Sequence, residues 1–291
     1  MSIGTILLLA LVAPFVALVT VIVGGLYLRR FQKIRPPSKE KLLRPAGEST
    51  RRRAMELDEQ LSFALLATMV TPLLMVAGQL AFAARNVVLP SPQAISIILS
   101  SAIFLVGSLV WTVRTAQRWR NYDLGFSGER LVGQHLEELL RAGCFVFHDV
   151  QGDGKWNIDH VVVTPDEVLA IETKTRRKRS VPNGKSDYEV TFDGTTLHFP
   201  HIRDNFGLDQ ARRNAEWLSN YLSWALSEPV PVRAMLALPG WMVRRKGRGD
   251  VTVINPGELK VFARRRANTS QERRMKQIAF ALEQRCRDVD F

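Results

Sequence analysis

Three side chains between residues 157 and 175 carry chemistry by type and spacing: Asp159, Glu172 and Lys174. They sit among apolar, β-branched runs at 161–163 and 168–171, which read as two short strands around Thr164-Pro165-Asp166-Glu167. Charge inside such strands is costly unless it is paired or holds a metal. Strand side chains alternate between faces, so Glu172 and Lys174 project from one surface with Val168 and Ala170. A turn about Pro165-Asp166 folds the first strand antiparallel on the second and brings Asp159 near that pair, on a face that depends on register. Two carboxylates converging at a sheet end make a hard-oxygen site for Mg²⁺ or Mn²⁺. The adjacent ammonium can orient a water or stabilise charge developing on a phosphate. Phosphodiester hydrolysis requires such a set.

The elements that must position these groups follow from periodicity. Ser127 can cap a helix running to about residue 142 with Gly143 as its stop, and Val132, Leu136, Leu139 and Leu140 form its apolar stripe. Glu129 lies three residues before Val132, so it points along that stripe and can complete the constellation. A strand at 144–150 and a turn at Gly152-Asp153-Gly154 precede the charged hairpin. After it come a hairpin at 188–199 about Asp193-Gly194, a helix at 208–225, strands at 230–238 and 251–255, and a terminal amphipathic helix at 270–287. The 208–225 helix carries Ala211, Ala215, Leu218 and Leu222 on one side. The basic run Arg176-Arg177-Lys178-Arg179 either lines a nucleic-acid groove or forms a solvated loop. His160 reads as a packed strand residue, and His148, His198 and His201 have no metal spacing. Trp156, Trp217, Trp224 and Trp241 read as core or helix-packing residues. Cys144 and Cys286 form no C-x-x-C framework and are expected to be free thiols in a reducing compartment.

The first 113 positions are of another kind, because the apolar residues crowd there and the charges crowd the rest. Residues 3–28, 61–84 and 94–113 are uncharged runs near the roughly 20 residues needed to span a bilayer. The first lacks the basic start and cleavage site of a signal peptide and reads as a retained anchor. Between the first two lies a basic loop, 29–60, with Arg51-Arg52-Arg53 as a topology signal or a contact to anionic headgroups. By the positive-inside rule that loop and everything after Val113 are cytoplasmic and the N-terminus is outside. This predicts a membrane region at 1–113, a linker at 114–124 and an α/β domain at 125–291, held at a bacterial inner (plasma) membrane. No charge lies inside a span, which argues against a transporter. The net charge of +12 points to nucleic acid or an anionic membrane surface, although cytoplasmic loops retain basic residues in any case.

Gly128-Glu129, Asn157-Ile158-Asp159-His160, Ile171-Glu172-Thr173-Lys174 and Asp209-Gln210-Ala211 together resemble the nuclease-related domain, the NERD family of the PD-(D/E)xK nuclease superfamily, over roughly residues 125–238. The superfamily's motif proline is absent, since Ile158 precedes Asp159. The resemblance implies a restriction-endonuclease-like α/β fold, a mixed central sheet flanked by helices, here after an all-α transmembrane region. It implies that Asp159 and Glu172 hold Mg²⁺ or Mn²⁺, that Lys174 assists the attacking water, and that Glu129 supports the site. Gln210 matches a position implied to contact phosphate or substrate, and Arg176, Arg177 and Lys178 would join it in binding. Two functions of different class follow. One is a membrane-anchored, metal-dependent nuclease acting at the cytoplasmic face on nucleic acid, DNA before RNA. The other is a catalytically silent module of the same fold that binds nucleic acid or a partner protein; a third substrate class, other phosphorylated molecules, is weaker.

Overall fold

A computed structural model describes residues 24, 40–83, 92–178, 188–263 and 267–290. Apart from Gly24, the expected span 3–28 lies outside the described residues, as does Arg179 of the basic run. The chain divides into two units, Met1–Pro37 with Ala54–Arg120, and Ser38–Arg53 with Asn121–Phe291. The elements begin with β1 (Lys41–Leu43), helix α1 (Glu48–Ala83) and helix α2 (Pro92–Arg141).

In the first unit residues 61–83 of the expected span 61–84 fall within α1 and the expected span 94–113 falls within α2, while Ala84 lies outside the described residues. Among the described residues one helix, Ile98–Arg141, is long and apolar enough to cross a membrane by length and composition. Leu99, Ile103, Phe104, Val106 and Leu109 on it are all more than half exposed. Hydroxyls in these helices satisfy themselves locally: Thr68, Thr71 and Thr112 donate to the carbonyls of Ala64, Ala67 and Ser108 at 2.7–2.8 Å. Thr68 and Thr112 also meet side chain to side chain at 3.2 Å.

Two expectations about the joints need correction. Of the expected basic loop 29–60, residues 29–39 lie outside the described residues, and the described part is a strand at Lys41–Leu43 and a helix from Glu48 onward. Glu48, in the first turn, accepts from Arg51 and Arg52 at 2.8 Å, the three- and four-residue spacing that stabilises a helix start. Beyond the topology signal or headgroup contact expected of these arginines, two of them thus serve the start of a helix. The linker 114–124 is likewise helical, and α2 runs through Ser127 with no cap there. The helix continues through Gly125 and Gly128, each of which costs about 1 kcal/mol in a helix interior.

The second unit contains the α/β domain. Its strands are β2 (Phe145–Gln151), β3 (Asn157–Val163), β4 (Val168–Thr173), β5 (Glu189–Phe192), β6 (Leu197–Phe199) and β7 (Ile202–Asp204). Helix α3 (Phe206–Leu226) follows, then β8 (Val232–Ala237), β9 (Met242–Arg245), β10 (Thr252–Ile254), a 3-10 helix (Pro256–Ala263), α4 (Thr269–Cys286) and β11 (Arg287–Asp290). The central sheet is mixed, in the order β10-β8-β4-β3-β2, as expected of this fold class. β2, β3 and β4 form an antiparallel meander, and β8 and β10 run parallel to β4. β4 is buried along its whole length, which its near-continuous apolar sequence dictates for a strand covered on both faces.

Each face has its own core. Val161, Val163, Val168 and Ala170 pack with Leu208, Ala211 and Leu218 of α3 and with Met275, Ile278 and Leu282 of α4. Val162, Leu169 and Ile171 pack on the other side against Val132, Leu136 and Leu139 of α2. α4 starts at a capping box in which Asn268 and Gln271 exchange hydrogen bonds at 2.9 Å. The expected 188–199 hairpin is part of a larger four-stranded sheet, β7-β6-β5-β9. A two-stranded sheet pairs β1 with β11, joining positions 41–43 to the end of the chain. Arg44 fastens this pair: its guanidinium donates to both carboxylate oxygens of Asp288 at 2.6 and 2.5 Å and to the Asp149 carbonyl at 2.9 Å. Both cysteines are buried free thiols.

Candidate active site

The β3–β4 ladder places the carboxylates. His160 opposes Ile171, so Asp159, one residue further on, opposes Glu172 at the point where regular pairing of these two strands stops. The strands part there, and Asp159 Oδ2 accepts the Thr173 amide hydrogen at 2.7 Å. Asp159 and Glu172 are 8 % and 1 % exposed, so neither can shed its charge into bulk water. Lys174, one strand position beyond Thr173, donates to Glu172 Oε1 at 2.7 Å and to Gln210 Oε1 at 3.0 Å. The expected common face of Glu172 and Lys174 and the expected approach of Asp159 are therefore both present, with Gln210 gripping the lysine from α3.

Helix α2 supplies Glu129 from the other layer. Gly128 allows the approach: a Cβ there would come 1.8 Å from Thr175 Oγ1, two residues past the end of β4. Glu129 Oε1 accepts from the Thr50 hydroxyl at 2.7 Å, and Oε2 is buried without a hydrogen-bond partner. Burial, then the charges of Asp149 and Glu172, push the Glu129 carboxyl up to about 8. Burial, then Glu172 and Glu129, raise Asp159 well above the usual carboxylate range. Burial also raises Glu172, against the pull of Lys174 and Asn214. Buried carboxylates that repel one another and an orphaned oxygen are the electrostatic condition a divalent cation relieves.

The donors fit such an ion in kind, being hard oxygens. Among the described residues no group of three or more His, Cys, Asp or Glu is placed to hold one metal. Asp159 and Glu172 remain the candidate metal ligands, with Glu129 behind them. Mg²⁺ is commonly held by one or two carboxylates, with water and substrate phosphate completing its shell.

The basic run is divided in its contacts. Arg176 is ion-paired with Asp204 and lies over the Phe199 ring at 5.1 Å. Asp204 in turn accepts from the Phe206 amide at the start of α3. Lys178 lies over the Trp241 ring at 5.8 Å, and Arg177 is exposed. Arg176 and Lys178 thus pack on aromatic rings near the second sheet, whereas Gln210 touches Lys174 directly. His148 and His160 face each other across β2 and β3 at 2.8 Å between Nδ1 atoms. Burial lowers His148 to about 4, and burial with His148 beside it holds His160 well below the usual imidazole range; His160 is a packed strand residue as expected.

Three residues absent from the sequence-based set complete the surroundings. Asn214, buried on α3, donates its amide to Glu172 Oε2 at 2.9 Å. Thr50 holds Glu129. Asp149, fully buried at a positive φ of 51°, accepts from the Ser49 amide and hydroxyl at 2.9 and 2.5 Å and from Asn157 at 2.5 Å. The segment 40–53 is thereby built into the domain that carries the site. Asn214 alone had a readable signal: position 214 lies in the apolar stripe of Ala211, Ala215 and Leu218, where an amide needs a buried partner.

These features define a mixed-sheet domain whose β3–β4 edge presents two carboxylates and a lysine. A family model agrees: the model of the nuclease-related domain (NERD) matches residues 124–239. Glu129, Asp159, Glu172, Lys174, Gln210 and Asn214 fall inside the matched span, while Thr50 lies outside it. Comparison with curated proteins and with solved structures finds no match.

Proposed function

We propose that the protein is a membrane-anchored, metal-dependent nuclease that hydrolyses phosphodiester bonds of nucleic acid at the cytoplasmic face. One observation carries this reading: Asp159 opposes Glu172 where their strands part, and the Lys174 ammonium is fixed beside them by Glu172 and Gln210. Asp159 and Glu172 would hold Mg²⁺ or Mn²⁺, which when bound supplies Lewis-acid polarisation of the phosphate and neutralises charge in the transition state. Lys174 orients the attacking water and stabilises negative charge growing on the phosphoryl oxygens. Gln210 and Asn214 keep the lysine and the glutamate in one geometry, which removes reorganisation at the moment of reaction. Glu129, largely protonated near neutral pH by its surroundings, offers an O–H as well as an acceptor at the site's rear.

Anchorage rests on the apolar runs at 3–28, 61–84 and 94–113, and it is supported by the outward apolar side chains of α2. The excess of arginine and lysine after the first and third runs supports a cytoplasmic domain at an inner (plasma) membrane, with the N-terminus outside. The full chain in detergent, incubated with plasmid, linear and single-stranded DNA and with RNA, tests the reading. Cleavage in Mg²⁺ or Mn²⁺ that EDTA abolishes is expected, on DNA before RNA. Absence of cleavage on every substrate, with metal bound, would leave a silent binding module of the same fold.

A further inference from the structure

Immediately beside the catalytic lysine the surface opens into a cavity of about 620 Å³. Gln210 and Asn214 line it, and the same two side chains hold Lys174 and Glu172, so the cavity begins where the reacting centre ends. Aromatic rings make the rest of its wall. Phe206 is 63 % exposed and its ring lies 5.4 Å from the Lys174 ammonium. Trp156 is 38 % exposed, and Trp217 is half-buried. The four tryptophans of the domain were expected to be core or helix-packing residues; only Trp241 is fully buried, at 3 %.

The tryptophan rings are held in place without being buried. The Trp156 indole lies flat against Gly152, where a Cβ would fall within 2.3 Å of the ring, and no other residue permits that contact. It meets Trp217 edge-on, with centroids 5.0 Å apart and planes at 83°. Trp217 stacks on Tyr221 at 5.4 Å and 1°, and Arg285 covers both rings. The Trp217 indole N–H donates to Asp153 at 2.8 Å, which ties the wall to the β2–β3 turn. Exposed rings backed by a rigid stack, in a wall shared with the amides of Gln210, Asn214 and Asn220 and with the charged Arg213 and Glu216, suit a ligand with flat π faces, polar edges and phosphate.

A nucleobase has all three features, but in a duplex its faces are stacked and its edge is paired. We infer that this cavity receives an unstacked base next to the scissile phosphodiester, and that the protein selects single-stranded nucleic acid over duplex. The inference rests on the nuclease reading only in taking the ligand to be nucleic acid. Phe206 and Trp156 are the stacking surfaces, Gln210 and the neighbouring amides face the base edge, and Arg213 faces the backbone.

The test is fluorescence anisotropy on the full chain in detergent with EDTA, so that nothing turns over. The probes are a short dye-labelled deoxy strand, its ribo counterpart, and the deoxy strand annealed as a blunt duplex. The single strand should bind at least about 10-fold more tightly than the duplex. Phe206→Ala and Trp156→Ala should each weaken single-strand binding by about 5- to 100-fold, the loss expected for one base–aromatic stack, and leave duplex binding unchanged. Trp156→Phe should recover most of the loss. One abasic position moved along the strand should reproduce the loss with the unaltered protein, which removes any question of misfolding. The deoxy and ribo arms tell which backbone is preferred. Equal binding of strand and duplex, or a loss shared equally by both, would overturn the inference. Strand selection in EDTA with no cleavage in Mg²⁺ would keep it and defeat hydrolysis; equal cleavage of both forms, indifferent to the variants, would do the reverse.

Discussion

Replacing Glu129 with Gln should stabilise the metal-free protein, although the residue stands at the site. Glu129 has an ordinary value of 4.5 and is pushed up to about 8 in the folded chain. Between those values the folded state keeps a proton that the unfolded chain releases, so stability falls as pH rises from about 4.5 to about 8 and is flat beyond. The interval from 4.5 to 7 is worth about 3 kcal/mol at about 1.4 kcal/mol per pH unit. A glutamine avoids that cost, and its carbonyl oxygen still accepts from Thr50. For a domain of this size the melting temperature should rise by roughly 6–12 °C at pH 7, and by only a few degrees at pH 5, where the difference is under about 1 kcal/mol. Thermal unfolding of the full chain in detergent and EDTA, followed by tryptophan fluorescence, reads both. A Glu129→Gln protein no more stable than the parent at pH 7, or equally favoured at pH 5 and pH 7, would refute the electrostatic picture of the site.

Other changes test the parts separately. Asn214→Leu, similar in volume, strips Glu172 Oε2 of its donor, and a Mn²⁺ titration should show affinity lower by about 10- to 100-fold. Gly128→Ala pushes a methyl into Thr175; it should destabilise by about 1–3 kcal/mol and slow cleavage, measured by melting and by initial rates on one substrate. Arg44→Ala removes both bonds to Asp288 and the bond to the Asp149 carbonyl, so the melting temperature at pH 7 should fall. The Arg44 hydrogen bond holds Asp288 below the usual carboxylate range. The pair's contribution is therefore present above that range and lost as pH falls through the folded value, so the gap between parent and variant should close in acid.

What could be read from the sequence was what repeats locally. The apolar runs at 161–163 and 168–171 specified β3 and β4, and alternation along β4 placed Glu172 and Lys174 on one face. The stripes at Val132, Leu136 and Leu139 and at Ala211, Ala215 and Leu218 specified the helices that cover the two sheet faces. Asp159's partner needed the register, which only the assembled sheet provides. β1 and β11 are strands of 3 and 4 residues near opposite ends of the chain, too short for any periodicity. The contact of Thr50 with Glu129 spans 79 positions, and Arg44 reaches Asp288 across 244, so no local pattern announces either. The joint at Ser127 failed for the opposite reason: a plausible cap sequence lay inside a helix that its neighbours already specified.

The most direct test compares metal-dependent cleavage by the parent chain with that of Asp159→Asn and Lys174→Ala, with Mn²⁺ binding measured on the same samples. If Asp159 and Glu172 hold the ion and Lys174 acts on the water and phosphate, Asp159→Asn loses both binding and cleavage. Lys174→Ala then binds Mn²⁺ yet cleaves at least about 100-fold more slowly, the scale of one lost electrostatic or proton-transfer contribution. Cleavage that persists at the parent rate in either variant would contradict the account.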